Sequence, residues 1–303
     1  MEGRLTAWTI GLLLFMAEAN LGSAGSLASY WGEPKNGKPL ADACASGHYD
    51  ILMLAFFDNF GSGQTPHQTV CEAHPDSCQS LVSDVQKCQE NGQKVLLSMG
   101  GGGGTYGFNS SQDAENVAHY LWDNYLGGSS DSSPMGAVKL DGIDLDIEMG
   151  GSEYYTDLIS SLRRIGREQN YKTLYITAAP ECSFPDFNLG PGDGTVLSSG
   201  VDMIFIQFYN NPYCEYEGDF EGGLDQLLDT WNQWTGNLSS TRVFLGLPAS
   251  PDAASSGYVD HDTLLQDILP HIKTASNYGG VMLWNVFEDQ QNKNYSVRIR
   301  SSV

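Results

Sequence analysis

The chain has 303 residues, 41% of them hydrophobic, and a formal net charge of −22 at pH 7. That length fits one enzyme-sized domain, and no repeat, linker or low-complexity tract divides it. So strong a negative field repels nucleic acid and anionic membrane and excludes both as partners, while it favours solubility, cationic ligands and weak divalent cation binding.

Met1 to Ala24 carry an early Arg4, an apolar run around Ile10 to Ala17, and small residues at Gly22 and Ala24. This is the pattern of a secretory signal, which makes residues 25–303 the mature domain. It predicts a soluble, exported protein, extracellular or, alternatively, vacuolar, and a monomer is expected. The signal's apolar run is too short to span a membrane, and no later segment has about 18 uninterrupted apolar residues. Six cysteines, Cys44, Cys71, Cys78, Cys88, Cys182 and Cys214, suit an oxidising compartment, and their even number favours three disulfides of open pairing. Neither their spacings nor the scattered histidines resemble a metal site, so no metal or other cofactor is expected. Triplets at Asn109, Asn237 and Asn294 are compatible with glycosylation.

Past the signal, short apolar strands alternate with amphipathic helices. Strands are predicted at Leu27 to Trp31, Ile51 to Phe56, Val95 to Ser98, Gly142 to Ile147, Leu174 to Ala178, Met203 to Gln207, Val243 to Gly246 and Gly280 to Trp284. Each is apolar enough to be covered on both faces, as parallel strands are. Helices are predicted at Gln79 to Glu90, closed by Gly92, at Gln112 to Tyr125, capped near Ser110 or Ser111 and closed by Gly127, and at Tyr154 to Glu168. The alternation implies an α/β fold, a single-domain (β/α)₈ TIM barrel, whose active site gathers at the carboxyl ends of the strands.

The fourth strand carries the chemistry. In Asp141-Gly142-Ile143-Asp144-Leu145-Asp146-Ile147-Glu148, side chains two apart share a face, so Asp144, Asp146 and Glu148 project together and Ile143, Leu145 and Ile147 fill the other side. Burying like-charged carboxylates roughly 6 to 7 Å apart raises their pKa values, so some of them hold protons and the ladder titrates as a unit. Glu148, at the open end, is the candidate general acid. Glu33, Asp58, Glu181, Tyr209 and Trp284 fall at other strand ends, as does Trp31, and aromatic faces beside acids are what a sugar-binding cleft requires.

Asp141-x-x-Asp144-x-Asp146-x-Glu148 matches the signature of glycoside hydrolase family 18. The rest resembles the plant class III chitinase/lysozyme branch, through Tyr30-Trp31-Gly32, Phe60-Gly61-Ser62-Gly63-Gln64-Thr65-Pro66, Ser98-Met99-Gly100-Gly101-Gly102, Gln207-Phe208-Tyr209-Asn210-Asn211-Pro212 and Gly279-Gly280-Val281-Met282-Leu283-Trp284. The resemblance implies disulfides Cys44 with Cys88, Cys71 with Cys78, and Cys182 with Cys214. It implies catalytic roles for Glu148, Asp146, Asp144 and Tyr209, and sugar contacts from Trp284, Gln207, Gly101, Tyr30, Glu33, Asp58 and Glu181. The implied activity is endo-hydrolysis of β-1,4 bonds in chitin, with peptidoglycan as a second substrate.

Asp146 and Glu148 leave one face of one strand, so Asp146 is a poor nucleophile for attack opposite the departing oxygen. A substrate 2-acetamido carbonyl is available instead, and family 18 is a recognised substrate-assisted exception to the two-carboxylate scheme. On this reading Asp144 shares a proton with Asp146 from the layer below. Glu33, Asp58 and Glu181 stand where plant relatives usually carry Gln, Asn and Gln, and the segment from His67 to Asp76 looks shortened. The other class of function on this fold is a non-catalytic chitin-binding, cation-storage or glycosidase-inhibitor protein.

Overall fold

The computed structural model describes residues 25–34, 37–72, 78–171, 173–190, 195–218 and 222–303. The expected signal at residues 1–24 lies outside them. Eight strands run in chain order as Ser26–Trp31, Ile51–Phe60, Lys94–Gly100, Gly142–Asp146, Tyr175–Ala178, Met203–Gln207, Arg242–Pro248 and Tyr278–Trp284, here numbered β1 to β8. Every neighbouring pair among them is parallel, and β1 pairs with both β2 and β8, through Trp31 opposite Leu54 and Ser26 opposite Gly280. The sheet therefore closes into the (β/α)₈ barrel that the alternation predicts.

Two hydrophobic cores result, because each strand is buried on both faces. The outer one packs strands against helices and holds Ile143, Leu145 and Ile147 of the acid ladder's strand. The inner one fills the barrel with Ala28, Tyr30, Met53, Phe56, Phe205, Phe244 and Met282, among others. The helix Ser111–Tyr125 begins where expected, with the Ser110 hydroxyl accepting the Asp113 N–H at 3.2 Å. The helix Tyr155–Glu168 buries Leu158, Ile159, Leu162 and Ile165 toward the barrel.

β2 continues to Phe60, beyond the expected end at Phe56. The polar pair Asp58 and Asn59 interrupts the apolar pattern, but Phe57 and Phe60 are fully buried in the outer core. The extension also pairs with two short strands, His67–Gln68 and Thr105–Tyr106. The disulfides join Cys44 to Cys88, Cys71 to Cys78, and Cys182 to Cys214, as the resemblance implies. The last ties the loop after β5 to the loop after β6.

Candidate active site

The acid ladder faces the barrel interior. Asp144 and Asp146 are buried, and Glu148, two residues past the end of β4, is partly exposed at the mouth. Asp144 lies in one register row with Ser98 of β3 and Thr177 of β5. Both hydroxyls donate to it, Ser98 at 2.8 Å and Thr177 at 2.6 Å, and the Tyr30 hydroxyl of β1 adds a third bond at 2.8 Å. Burial pushes the Asp144 carboxyl up, and these three donors pull it back.

Asp146 accepts a hydrogen bond from Gln207 Nε2 at 2.8 Å, and the same nitrogen donates to the Ala179 carbonyl at 3.0 Å. Burial raises Asp146 well above the usual carboxylate range, the charges of Glu148 and Asp144 raise it further, and a hydrogen bond with Glu148 adds to the shift. Glu148 is raised chiefly by burial, with Glu181 and Asp186 reinforcing and bonds to Gln207 and Asp146 opposing. Asp144 is engaged by the three hydroxyls, and Asp146 by the Gln207 amide.

The loop after β3 sets the position of the acid. The Gly101 N–H donates to the Asp146 carbonyl at 2.7 Å. The Tyr106 hydroxyl donates to the Gly101 carbonyl at 2.8 Å and accepts the Glu148 N–H at 3.2 Å. Gly101 has φ +87°, and a Cβ there would lie 2.9 Å from the Phe56 ring. A Cβ on Gly102 would lie 3.1 Å from Glu148 Oε2, so the glycines let this loop approach both groups.

Above the pair opens a cavity of about 440 Å³, lined by Glu33, Phe56, Asp58, Thr69, Gly100, Gly102, Gly103, Gly104, Asp146, Glu148, Gln207, Tyr209, Asn210 and Trp284. That size suits a small ligand or a short stretch of polymer. Trp284 stacks on Phe56 with centroids 6.1 Å apart and meets Tyr30 edge-on at 5.3 Å. The Tyr209 hydroxyl makes no hydrogen bond among the described residues. Burial and the charges of Asp146, Glu148 and Asp144 raise its pKa well above the ordinary tyrosine value, so it remains a neutral O–H donor.

Of the residues expected at the site, Glu148, Asp146, Tyr209, Trp284, Gln207, Glu33 and Asp58 line this cavity. Asp144 and Tyr30 lie beneath it, bonded to each other. Gly101 shapes its wall without lining it. Glu181 sits outside on an exposed rim, 3.4 Å from Asn211 Nδ2, and acts on Glu148 through its charge. Trp31 turns to the outer core, with its indole N–H donating to the Lys38 carbonyl.

Asp58 is not a free carboxylate. His67 Nδ1 lies 3.0 Å from Asp58 Oδ1 and its Nε2 lies 3.1 Å from Glu72 Oε1, so the imidazole bridges two acids. The hydrogen bond to Asp58 is the main reason that the His67 pKa is raised. Among the described residues, the one group of acids and histidine close enough to share a metal ion is Asp260, His261 and Asp262, outside the cavity. There Asp260 is already spent capping the following helix through the N–H groups of Asp262 and Thr263.

Sequence reasoning missed Phe56, Thr69, Asn210, Tyr106 and the hydroxyls of Ser98 and Thr177. Period-two alternation back from Asp58 identifies Phe56. The Ser98 and Thr177 hydroxyls become legible only with the strand register.

The chain is 45% identical over 285 residues to an acidic endochitinase of Vitis vinifera, covering 92% of each protein. Its fold matches the crystal structure of a chitinase from Ipomoea carnea with TM-score 0.84 and 40% identity, covering 92% of this chain and 100% of that one. It also matches a xylanase and α-amylase inhibitor protein from Scadoxus multiflorus with TM-score 0.84 and 35% identity, covering 92% and 99%. Residues 26–250, which span the acid ladder, the hydroxyls beneath it and Tyr209, match the model of the glycosyl hydrolases family 18, and the chain belongs to that family.

Proposed function

We propose that this protein is an endochitinase that hydrolyses β-1,4 bonds between N-acetylglucosamine units with retention of configuration, through an oxazolinium intermediate formed by the substrate's own acetamido group. The observation that carries this reading is the placing of Asp146, Glu148 and Tyr209 together in the lining of one cavity, the two carboxyls both raised chiefly by burial and the Tyr209 hydroxyl unengaged. Glu148 in its protonated form protonates the leaving oxygen. Asp146 is left as a carboxylate to accept the acetamido N–H and stabilise the positive charge that develops. Tyr209 donates to the acetamido oxygen as it attacks the anomeric carbon, and Trp284 floors the sugar. Water, deprotonated by Glu148, then opens the intermediate.

Peptidoglycan, which offers the same acetamido group, is the second substrate of this reading. The three disulfides support an oxidising, exported destination. The inhibitor-like solved relative favours a second reading, a non-catalytic glycosidase inhibitor. Early-time NMR on acetylated chitin oligomers decides between them. The β-anomer as first product is expected, the α-anomer overturns the mechanism, and absence of turnover with retained sugar binding favours the second reading.

A further inference from the structure

Glu148 is the one member of the acid ladder that lies outside the sheet. Pairing of β4 ends at Asp146 opposite Gly100 of β3 and at Leu145 opposite Ala178 of β5, so the backbone that carries the acid has no strand partner on either side. A main-chain N–H left unpaired beside a packed core is costly. Here a side chain takes it: the Tyr106 hydroxyl accepts the Glu148 N–H at 3.2 Å and donates to the Gly101 carbonyl at 2.8 Å. The phenol thus stands in for the rung that the sheet does not supply.

Tyr106 is itself firmly held. Thr105 and Tyr106 pair in parallel with Asn59 and Phe60, the last two residues of β2, and the Thr105 N–H donates to Asn59 Oδ1 at 3.0 Å. The Tyr106 ring stacks on the buried Phe60 ring, with centroids 5.4 Å apart and planes 12° apart. At Gly104, where φ is +93°, a Cβ would collide with the Asp58 carbonyl, so only glycine lets the chain run this close to β2. The unexpected extension of β2 is therefore the support from which the phenol reaches the acid. Burial is the chief cause that pushes the Tyr106 pKa up to about 12, with bonds from the Glu148 and Met149 backbone opposing and the charges of Glu148 and Asp146 reinforcing. The hydroxyl keeps its proton and can donate and accept at once.

Resting on the chitinase reading above, we infer that Tyr106 is a positioning residue for Glu148: it ties the backbone of the acid to the Gly101 turn and so fixes where the carboxyl meets the leaving oxygen. Tyr106 is not among the residues that line the cavity, so it acts on the reaction through Glu148 and not on the sugar. General acid catalysis needs the acid within hydrogen-bond reach of its target, and a misplacement of about 1 Å costs about 10²-fold in rate.

Tyr106→Phe keeps the ring on Phe60 and removes only the hydroxyl. Turnover of acetylated chitin oligomers by the full protein is measured for this variant, for Glu148→Gln and for the two combined. The expected result is kcat lowered about tenfold to a hundredfold with KM held within about twofold. In the Glu148→Gln background the same change should alter residual turnover by less than about twofold, because no acid remains to be positioned. Asn59→Ala, which loosens the strand bearing the phenol, should give the same pattern with a smaller loss, and it carries the test if Tyr106→Phe does not fold. Unchanged kcat in both variants, a rise in KM alone, or the full loss repeated in the Glu148→Gln background overturns the positioning role and leaves the chitinase reading standing. A wild type that cleaves no chitin removes that reading, and the positioning role with it.

Discussion

The Tyr30 hydroxyl donates to Asp144 Oδ2 at 2.8 Å, linking β1 to β4 across the barrel interior between residues 114 apart in sequence. With Ser98 and Thr177 it fixes a buried carboxylate on which nothing from the substrate needs to bear. Removing one such donor exposes the desolvation cost of the acid. Tyr30→Phe and Thr177→Val should each destabilise the fold by about 1 to 3 kcal/mol in denaturant unfolding, with a loss of kcat larger than any change in KM. Unchanged stability and kcat in both would separate Asp144 from catalysis.

Glu148→Gln should remove activity by about 10² to 10⁴-fold, the range of general acid catalysis, while keeping near-native thermal stability and oligosaccharide binding. The amide retains the shape of the side chain but cannot protonate the leaving oxygen. More than about a tenth of wild-type turnover would contradict the assignment.

The pH profile reports the same group. Burial raises Glu148 first, and the negative charge of Glu181 raises it further. A raised pKa keeps the acid protonated to higher pH, so activity falls as pH rises through that value. Glu181→Gln removes a repelling charge, favours the Glu148 carboxylate and moves the alkaline limb of kcat/KM to lower pH. Because the acids are coupled, the limb belongs to the pair with Asp146. A limb that stays in place or moves upward would rule this coupling out.

His67 gives a second titration. Its pKa is raised mainly by the hydrogen bond to Asp58, so the pair contributes stability below the unfolded histidine value and loses it as pH rises through the folded one. The imidazole is 43% exposed, so solvent screening limits the contribution to below about 1 kcal/mol. In Asp58→Asn the imidazole pKa should fall toward its ordinary value, as read from the His67 ring resonances by NMR. No change on substitution would mean that the hydrogen bond does not set the histidine's charge.

The barrel, its strand positions and the direction of the ladder were legible because period-two alternation and strand–helix spacing are local properties of sequence. Asp146, Glu148, Tyr209 and Trp284 were legible because they fall at strand ends bearing a strong motif. The hydroxyls of Ser98 and Thr177 were not, since each is an ordinary strand residue until the register sets it beside Asp144. Nor was the pairing of Asp58 with His67, which depends on a two-residue strand folding back on β2.

The inner aromatic cluster carries a further consequence. Tyr30, Phe56 and Tyr209 belong to the packed interior of the barrel, and Trp284 rests on them. The aromatic lining of the cavity is therefore continuous with the packed interior of the barrel. Substitutions deeper in the same cluster, at Met53 or Met282 for instance, are expected to be felt at Trp284 and Phe56, because a close-packed interior transmits changes of volume. Selection for heat tolerance and selection for a different sugar act on the same handful of side chains, and a lineage pursuing one is constrained in the other.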